Sequence, residues 1–154
     1  MSEDDLEELY QDIILDHFKH PRCYGKIKDP DSSIDALNPL CGDRLHIDVK
    51  LKDKTIQSIR FNGKGCSISQ ATASLMSELC TGRTVEEVKN LKESFEKMIV
   101  DGNQANQSLL KDSSVLQGVH KFPARHRCAL LAWQALSDCL YKALIEAEKQ
   151  NSNT

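Results

Sequence analysis

The chain has 154 residues, a length suited to one domain with a core of useful size. Hydrophobic residues make up 40%, charged residues 28%, and the formal net charge is −3, which fits a soluble globular protein. That balance argues against a duplex nucleic-acid binder, which needs a basic face; the cations form only short clusters such as Lys64, or Arg125 with Arg127. No run approaches membrane-spanning length, residues 128–133 being among the longest apolar stretches, and the acidic start lacks a signal-peptide core. The chain is therefore expected in the cytoplasm, with no membrane or nucleic-acid partner. In that compartment its six cysteines point to metal, catalysis or burial rather than to disulfides.

Residues 3–19 read as a helix. Leu6, Leu9, Ile13, Leu15 and Phe18 give an imperfect apolar stripe, with Tyr10 and Ile14 beside it. Acidic residues crowd its first turn, and Pro21 ends it. His17 and His20 read as helix-end polar residues rather than metal ligands. A loop follows over residues 22–31. In it Cys23 is either a core filler or a neighbour of a site, with the first preferred.

Residues 33–37 form a short strand, and Asn38-Pro39 forces a turn into Leu40-Cys41-Gly42-Asp43. Residues 44–52 then alternate strictly. Leu45, Ile47, Val49 and Leu51 face one way; His46, Asp48, Lys50 and Lys52 face the other. On this reading His46 is a solvated strand residue. Asp53-Lys54 makes a tight hairpin turn, and residues 55–61 return. The open ends of a hairpin lie together, so Cys41 and Asp43 share one sheet edge with the Gly63-Lys64-Gly65-Cys66 turn.

That turn is the most informative stretch. Its glycines permit a sharp bend with Cys66 at the tip, and Ser67 or Ser69 is placed to cap the next helix. A thiol at a helix N-terminus feels unpaired N–H groups and tends to ionise, and thiolate is the form that binds metal and attacks sulfur. The plain alternative is a buried cysteine in a tight turn. Residues 69–80 make the helix, with Ile68, Thr72, Leu75 and Leu79 on one stripe, Cys80 beside it in the core, and Gly82 past its end.

Thr84-Val85-Glu86-Glu87 is a capping box opening a helix to about Ile99, with Val88, Leu91, Phe95 and Met98 inward and Asp101-Gly102 as the stop. Residues 103–121 are rich in Asn, Gln and Ser and look like an insertion or mobile flap with one or two helical turns; His120 there has no evident partner. After Pro123 comes the strongest helix. Leu131, Ala132, Ala135, Leu136, Cys139, Ala143, Leu144 and Ala147 form a broad apolar face that makes Cys139 a core residue. If this helix starts near His126 rather than at Pro123, Cys128 also lies in a first turn. Residues 1–150 thus read as one domain, and 151–154 as a frayed tail.

Cys41, Asp43, Cys66 and Cys128 together offer three sulfurs and one carboxylate, a set that zinc accepts in tetrahedral geometry. The separations are unlike those of a zinc finger, so spacing alone is weak evidence. Three thiolates and a carboxylate around Zn²⁺ carry a net negative charge that needs donors or cations nearby. Lys64, Arg125 and Arg127 adjoin the candidate ligands and either supply that charge or are simply solvated. A carboxylate among thiolates is the more exchangeable ligand, which suits chemistry better than a purely structural site.

Cys-Gly-Asp, then Gly-x-Gly-Cys-x-x-Ser, then a cysteine opening a long C-terminal helix resembles the U-type iron–sulfur cluster assembly proteins. Leu9-Tyr10, His20-Pro21-Arg22 with Gly25, and Asn38-Pro39-Leu40-Cys41-Gly42-Asp43 fit as well. Scaffold members carry a histidine directly before the last cysteine; here Arg127 stands there, with His126 one position further back. That difference and the 103–121 stretch make the chain similar to the SufU subgroup. Cys23 departs from the asparagine usual at its position.

The resemblance implies an α+β domain, with a small three-stranded antiparallel sheet packed on helices and a long C-terminal helix. It implies zinc held by Cys41, Asp43, Cys66 and Cys128. It further implies a pyridoxal-phosphate cysteine desulfurase of SufS type as partner, Cys41 as acceptor of persulfide sulfur, and a downstream iron–sulfur assembly scaffold. In this picture a histidine of the desulfurase displaces Cys41 from zinc. Two rivals stand beside a zinc-dependent sulfurtransferase. One is a scaffold that builds a [2Fe–2S] cluster on the same residues. The other is a zinc-stabilised interaction domain without catalysis.

Overall fold

The computed structural model describes residues 11–152. The expected first helix is present as α1 (Asp12–Lys19); the part of the expectation that rests on Leu6, Leu9 and Tyr10 lies outside the described residues. The remaining elements are β1 (Ser32–Asn38), β2 (Asp43–Lys52), β3 (Thr55–Lys64), α2 (Ser67–Cys80), α3 (Val85–Glu96), α4 (Gln107–Leu110) and α5 (His126–Ser152). The strands form one antiparallel sheet in the order β1-β2-β3. This is the α+β architecture expected.

Leu45, Ile47 and Val49 of β2 are at most 2% exposed, as the alternation requires. On β3, Ile56, Ile59 and Phe61 are fully buried although Ile56 and Ile59 are an odd number of residues apart. A register shift between Lys50 and Leu51 inserts the extra residue that keeps both facing inward. Asp53 and Lys54 both have positive φ, the conformation of a two-residue hairpin turn whose twist matches its strands.

The outer face of the sheet departs from the sequence reading. Asp48 is only 3% exposed. It is covered by the loop before β1: Ile27 N–H donates to Asp48 Oδ2 (3.0 Å) and Ser33 Oγ to Oδ1 (2.5 Å). His46 is partly exposed but also bridged, with Nδ1 2.8 Å from Asp35 Oδ1 and Nε2 2.7 Å from Asp48 Oδ1. The two carboxylates raise the His46 pKa, while burial opposes them.

The helix α2 lies at the centre. The expected stripe is too narrow, because Ser69, Ala71, Ala73, Ser74 and Ser77 are fully buried as well. Small residues let neighbouring backbones approach on every side, and a helix covered all round needs no polar face. One neighbour is α1. His17, expected at an exposed helix end, is 3% exposed, with Nδ1 2.7 Å from Ser74 Oγ. The same hydroxyl accepts the Arg22 N–H at 2.8 Å. Burial, with Arg22 nearby, pushes the His17 pKa down.

Thr84 caps α3 in the reciprocal arrangement the sequence shows, and Val88, Leu91, Phe95 and Met98 are buried. The α-helix stops at Glu96 and continues as a wider turn over Lys97–Asp101, closed by Gly102 at φ +73°. Residues 103–121 are not a flap. Asn106 caps α4, a 3₁₀ segment covers Lys111–Lys121, and Leu110, Leu116 and Val119 are fully buried. His120 does have partners: Nδ1–H donates to the Ile99 carbonyl (2.9 Å), and its ring stacks on His126.

A 3₁₀ turn, Pro123–Arg125, precedes α5, which packs against β1, β2 and α2. By length and composition α5 could cross a membrane, although the sequence shows no contiguous apolar run that long. Its apolar side is occupied: Ala132, Trp133, Ala135, Leu136 and Cys139 are buried, and Trp133 stacks on Phe95 at 5.3 Å. Cys80 and Cys139 are both core thiols, with Cys80 pushed up to about 12 by burial.

Candidate metal centre

The hairpin β2–β3 sets the frame. Leu45 pairs with Gly63 and Arg44 with Lys64, so β3 runs three residues past its expected end at Phe61, and the expected loop begins only at Gly65. Asn38 pairs with Asp43, which closes residues 39–42 into a short connection carrying Cys41. Cys66 follows Gly65 and is itself the N-cap of α2: its Sγ accepts the Ser69 N–H at 3.4 Å. Neither Ser67 nor Ser69 caps; Ser69 Oγ instead donates to the Cys66 carbonyl at 3.1 Å. Cys128 is the third residue of α5 and so lies in its first turn.

Both glycines before Cys66 are there for close approach. At Gly63 (φ +149°) an added Cβ would strike the Arg44 carbonyl oxygen. At Gly65 it would lie 2.5 Å from Asp43 Oδ1 and 2.6 Å from Ser69 Oγ. The missing side chain lets the Asp43 carboxylate reach the start of α2, where Oδ1 accepts the Cys66 N–H at 2.8 Å.

The structure brings Cys41, Asp43 and Cys128 into one group and sets Cys66 beside it, next to Asp43. One ligand atom each of Cys41, Asp43 and Cys128 lies within 4.8 Å of the others. Cys128 Sγ is 3.3 Å from Cys41 Sγ, and Cys66 Sγ is 3.9 Å from Asp43 Oδ2. A tetrahedral site with Zn–S bonds of about 2.3 Å separates its sulfurs by roughly 3.8 Å, so the spacing is of the right size. Asp43 and Cys128 are fully buried, Cys66 is half-buried and Cys41 is exposed.

A cation fits this set on chemical grounds. Among the described residues the buried Asp43 carboxylate accepts from the Cys66 N–H and, at 3.9 Å, faces the Cys66 thiol, and no cation is seen to pair with it; such a carboxylate is costly unless a positive charge lies beside it. Burial, then the neighbouring Cys41, Cys66 and Asp43, push the Cys128 thiol far up. A divalent cation reverses that balance by holding the thiolates directly.

The expected cationic neighbours are placed differently. Lys64, Arg125 and Arg127 are all exposed. Among the described residues, no side-chain hydrogen bond or ion pair joins Lys64 or Arg127 to a ligand. The donors seen at the candidate ligands include uncharged groups: Cys66 N–H to Asp43, Ser69 N–H to Cys66 Sγ, and Asn38 Nδ2 at 4.0 Å from Cys128 Sγ. The sequence marked Asn38 only as a turn former, and its contact with Cys128 spans ninety positions. His126 does not replace the histidine of scaffold members, since its Nε2–H donates to the His120 carbonyl at 3.0 Å. Cys23 is half-buried at φ +60°, and its carbonyl accepts the Phe61 N–H. Asparagine tolerates positive φ better than most residues, which accounts for the residue the resemblance expects there.

The model of the NifU-like N-terminal domain matches residues 9–129, a span that holds all four candidate ligands. The chain belongs to that family. It is 41% identical over 132 residues to the zinc-dependent sulfurtransferase SufU of Bacillus subtilis, covering 85% of this chain and 88% of that protein. It is 35% identical over 138 residues to the iron–sulfur cluster assembly scaffold protein IscU of Streptococcus pyogenes, covering 90% and 86%. Among solved structures, a Fervidobacterium islandicum protein described as a SUF-system iron–sulfur cluster assembly scaffold superposes with a TM-score of 0.81 at 29% identity, covering 86% of this chain and 96% of that one. An N-terminal NifU-like protein from Brucella abortus gives 0.85 at 23% identity, covering 90% and 96%, and shows the shared fold.

Proposed function

We propose that this protein is a zinc-dependent sulfurtransferase that takes persulfide sulfur from a cysteine desulfurase and relays it for iron–sulfur cluster assembly. The observation that carries the reading is the uneven burial of the cluster. Asp43 and Cys128 are sealed in, whereas Cys41 stands exposed on a short loop. Of the four, Cys41 can meet a partner's sulfur with least disturbance of the rest. Zinc, when bound, keeps the thiols ionised yet masked until one ligand is exchanged.

The chain's own residues then divide the work. Asp43, fixed by the Cys66 N–H, and Cys128, anchored in α5, keep the cluster in place. The Cys41 thiolate attacks the terminal sulfur of the donor persulfide; a new S–S bond forms on Cys41, the donor S–S bond breaks, and the donor cysteine leaves as thiolate. Leu40, 75% exposed beside Cys41, and Leu37, 56% exposed, offer apolar contact for a protein donor. A SufS-type desulfurase, a downstream assembly scaffold, residence in the cytoplasm and a single domain over residues 1–150 complete the reading.

Desulfurase turnover on cysteine, measured with and without the zinc-loaded protein, tests it. The intact protein raises turnover and takes up sulfur; Cys41→Ala does neither while retaining much of its zinc. Equal sulfur uptake by that variant overturns the assignment. The likeness to IscU scaffolds supports one rival, assembly of a [2Fe–2S] cluster on the same residues. Anaerobically purified protein with visible absorption and stoichiometric iron and sulfide would favour it.

A further inference from the structure

Asn38 is the last residue of β1, directly opposite Asp43, and is 3% exposed. Its polar groups reach to both sides of the cluster. Oδ1 accepts the Leu40 N–H at 3.3 Å, and the main-chain carbonyl accepts the Cys41 N–H at 3.3 Å and the Gly42 N–H at 2.8 Å. The whole connection bearing the exposed thiol is therefore hung from this one residue. On the other side Nδ2 lies 4.0 Å from Cys128 Sγ, the buried thiol at the far side of the pair 3.3 Å apart.

We propose that Asn38 is a positioning residue for the metal centre: its carboxamide ties the Cys41 loop to the Cys128 sulfur, and so sets how readily Cys41 parts from the other ligands. The proposal rests on the reading of Cys41 as the ligand that leaves. The asparagine carboxamide presents an acceptor and a donor on one short planar group, and glutamine is a methylene too long for the same two contacts. Pro39 keeps residue 38 extended, which leaves the side chain on the strand's inward face beside Asp43. An N–H aimed at a ligand sulfur stabilises its anionic form and fixes its direction, as outer partners of metal ligands do.

The plain alternative is that Asn38 only shapes the turn. Asn38→Asp separates the two, because the carboxylate still accepts the Leu40 N–H but cannot donate to Cys128. Cobalt(II) titration, read at the thiolate-to-cobalt absorption, zinc competition with a chelator, and peptide-mapped iodoacetamide labelling supply the readouts. The proposal expects Asn38→Asp to weaken metal binding about tenfold or more and to shift the cobalt band. It expects Asn38→Ala also to speed labelling of Cys41 several-fold relative to Cys66 in the same molecule; Asn38→Ser serves if that variant does not fold. A turn-shaping role predicts wild-type affinity and band position for Asn38→Asp, and that result overturns the proposal. If the wild-type protein binds no cobalt or zinc, the metal-centre reading itself is wrong. Asn38 is then judged on the metal-free protein, where equal Cys41 labelling in wild type and Asn38→Ala removes its role.

Discussion

Replacing Gly65 with alanine adds a methyl group against Asp43 in the candidate metal centre. The new Cβ would stand 2.5 Å from Asp43 Oδ1 and 2.6 Å from Ser69 Oγ, against an ordinary contact of 3.4 Å or more. Neither neighbour is the free end of a flexible chain: Asp43 and Ser69 are both fully buried. The carboxylate must therefore shift by about 0.9 Å, the shortfall between those two separations. Overpacking of this kind costs about 1–3 kcal/mol. The shift also stretches the 2.8 Å bond from Cys66 N–H to Asp43, an interaction with a charged acceptor worth about 1.5–3 kcal/mol. Zinc affinity, measured by chelator competition, should fall by at least about tenfold, in line with other losses of ligand-orienting contacts. The zinc-dependent rise in melting temperature should shrink with it. Gly82→Ala is the control, since nothing lies within 4 Å of its Cβ and only its φ of +87° is strained; it should lose about 1 kcal/mol of stability and keep its zinc affinity. Gly65→Ala with wild-type affinity and an unchanged zinc effect would refute the claim that this glycine seats Asp43.

Lys64→Ala and Arg127→Ala should leave zinc affinity within about twofold of wild type, because neither side chain touches a ligand. Because burial and its neighbours hold the Cys128 proton on in the metal-free protein, zinc uptake should release protons and weaken as pH falls; a pH-indicator titration reads this directly. The two structural histidines should act with opposite sign. His17 has a lowered pKa in the folded chain, so its contribution is intact above about pH 6.5 and is lost as pH falls below it towards the folded value. His46 has a raised one, so its bridge between Asp35 and Asp48 is intact below about pH 6.5 and is lost as pH rises through the folded value. Denaturant melts of His17→Asn and His46→Gln across pH 5 to 8 should each flatten one of these slopes. Ser74→Ala should cost about 1–3 kcal/mol, since it leaves His17 and the Arg22 N–H without their shared partner.

What was legible in the sequence was local. The Asp53-Lys54 turn, the Thr84 capping box and the alternation of β2 each have short-range causes, and each is found. The hairpin alone placed Cys41 and Asp43 beside Cys66, because its two open ends must meet. Cys128 needed more, since only the packing of α5 on β1 and β2 brings its first turn to the same corner. The errors were long-range. His46 read as solvated, and Asp48 was placed only on the polar face, because nothing in β2 shows that Ile27 and residues of β1 fold over them. β3 was cut short at Phe61 because glycine is a poor strand former, yet Gly63 is required there by the approach of Arg44. Residues 103–121 looked loose because 3₁₀ segments lack the 3.6-residue period, although three of their apolar side chains are fully buried. The donors around the cluster were sought among cations next to the candidate ligands in sequence; for Lys64 and Arg127 no such contact is found among the described residues, and backbone N–H groups and Asn38 contribute in their place.

The most direct test of the account is to incubate the zinc-loaded protein with a cysteine desulfurase and cysteine, then map the added sulfur by peptide mass spectrometry under non-reducing conditions. The account predicts one extra sulfur atom on the peptide bearing Cys41, and none in Cys41→Ala that still holds zinc. Sulfur found on Cys66 or Cys128 instead, or full uptake by the zinc-bound Cys41→Ala variant, would contradict it.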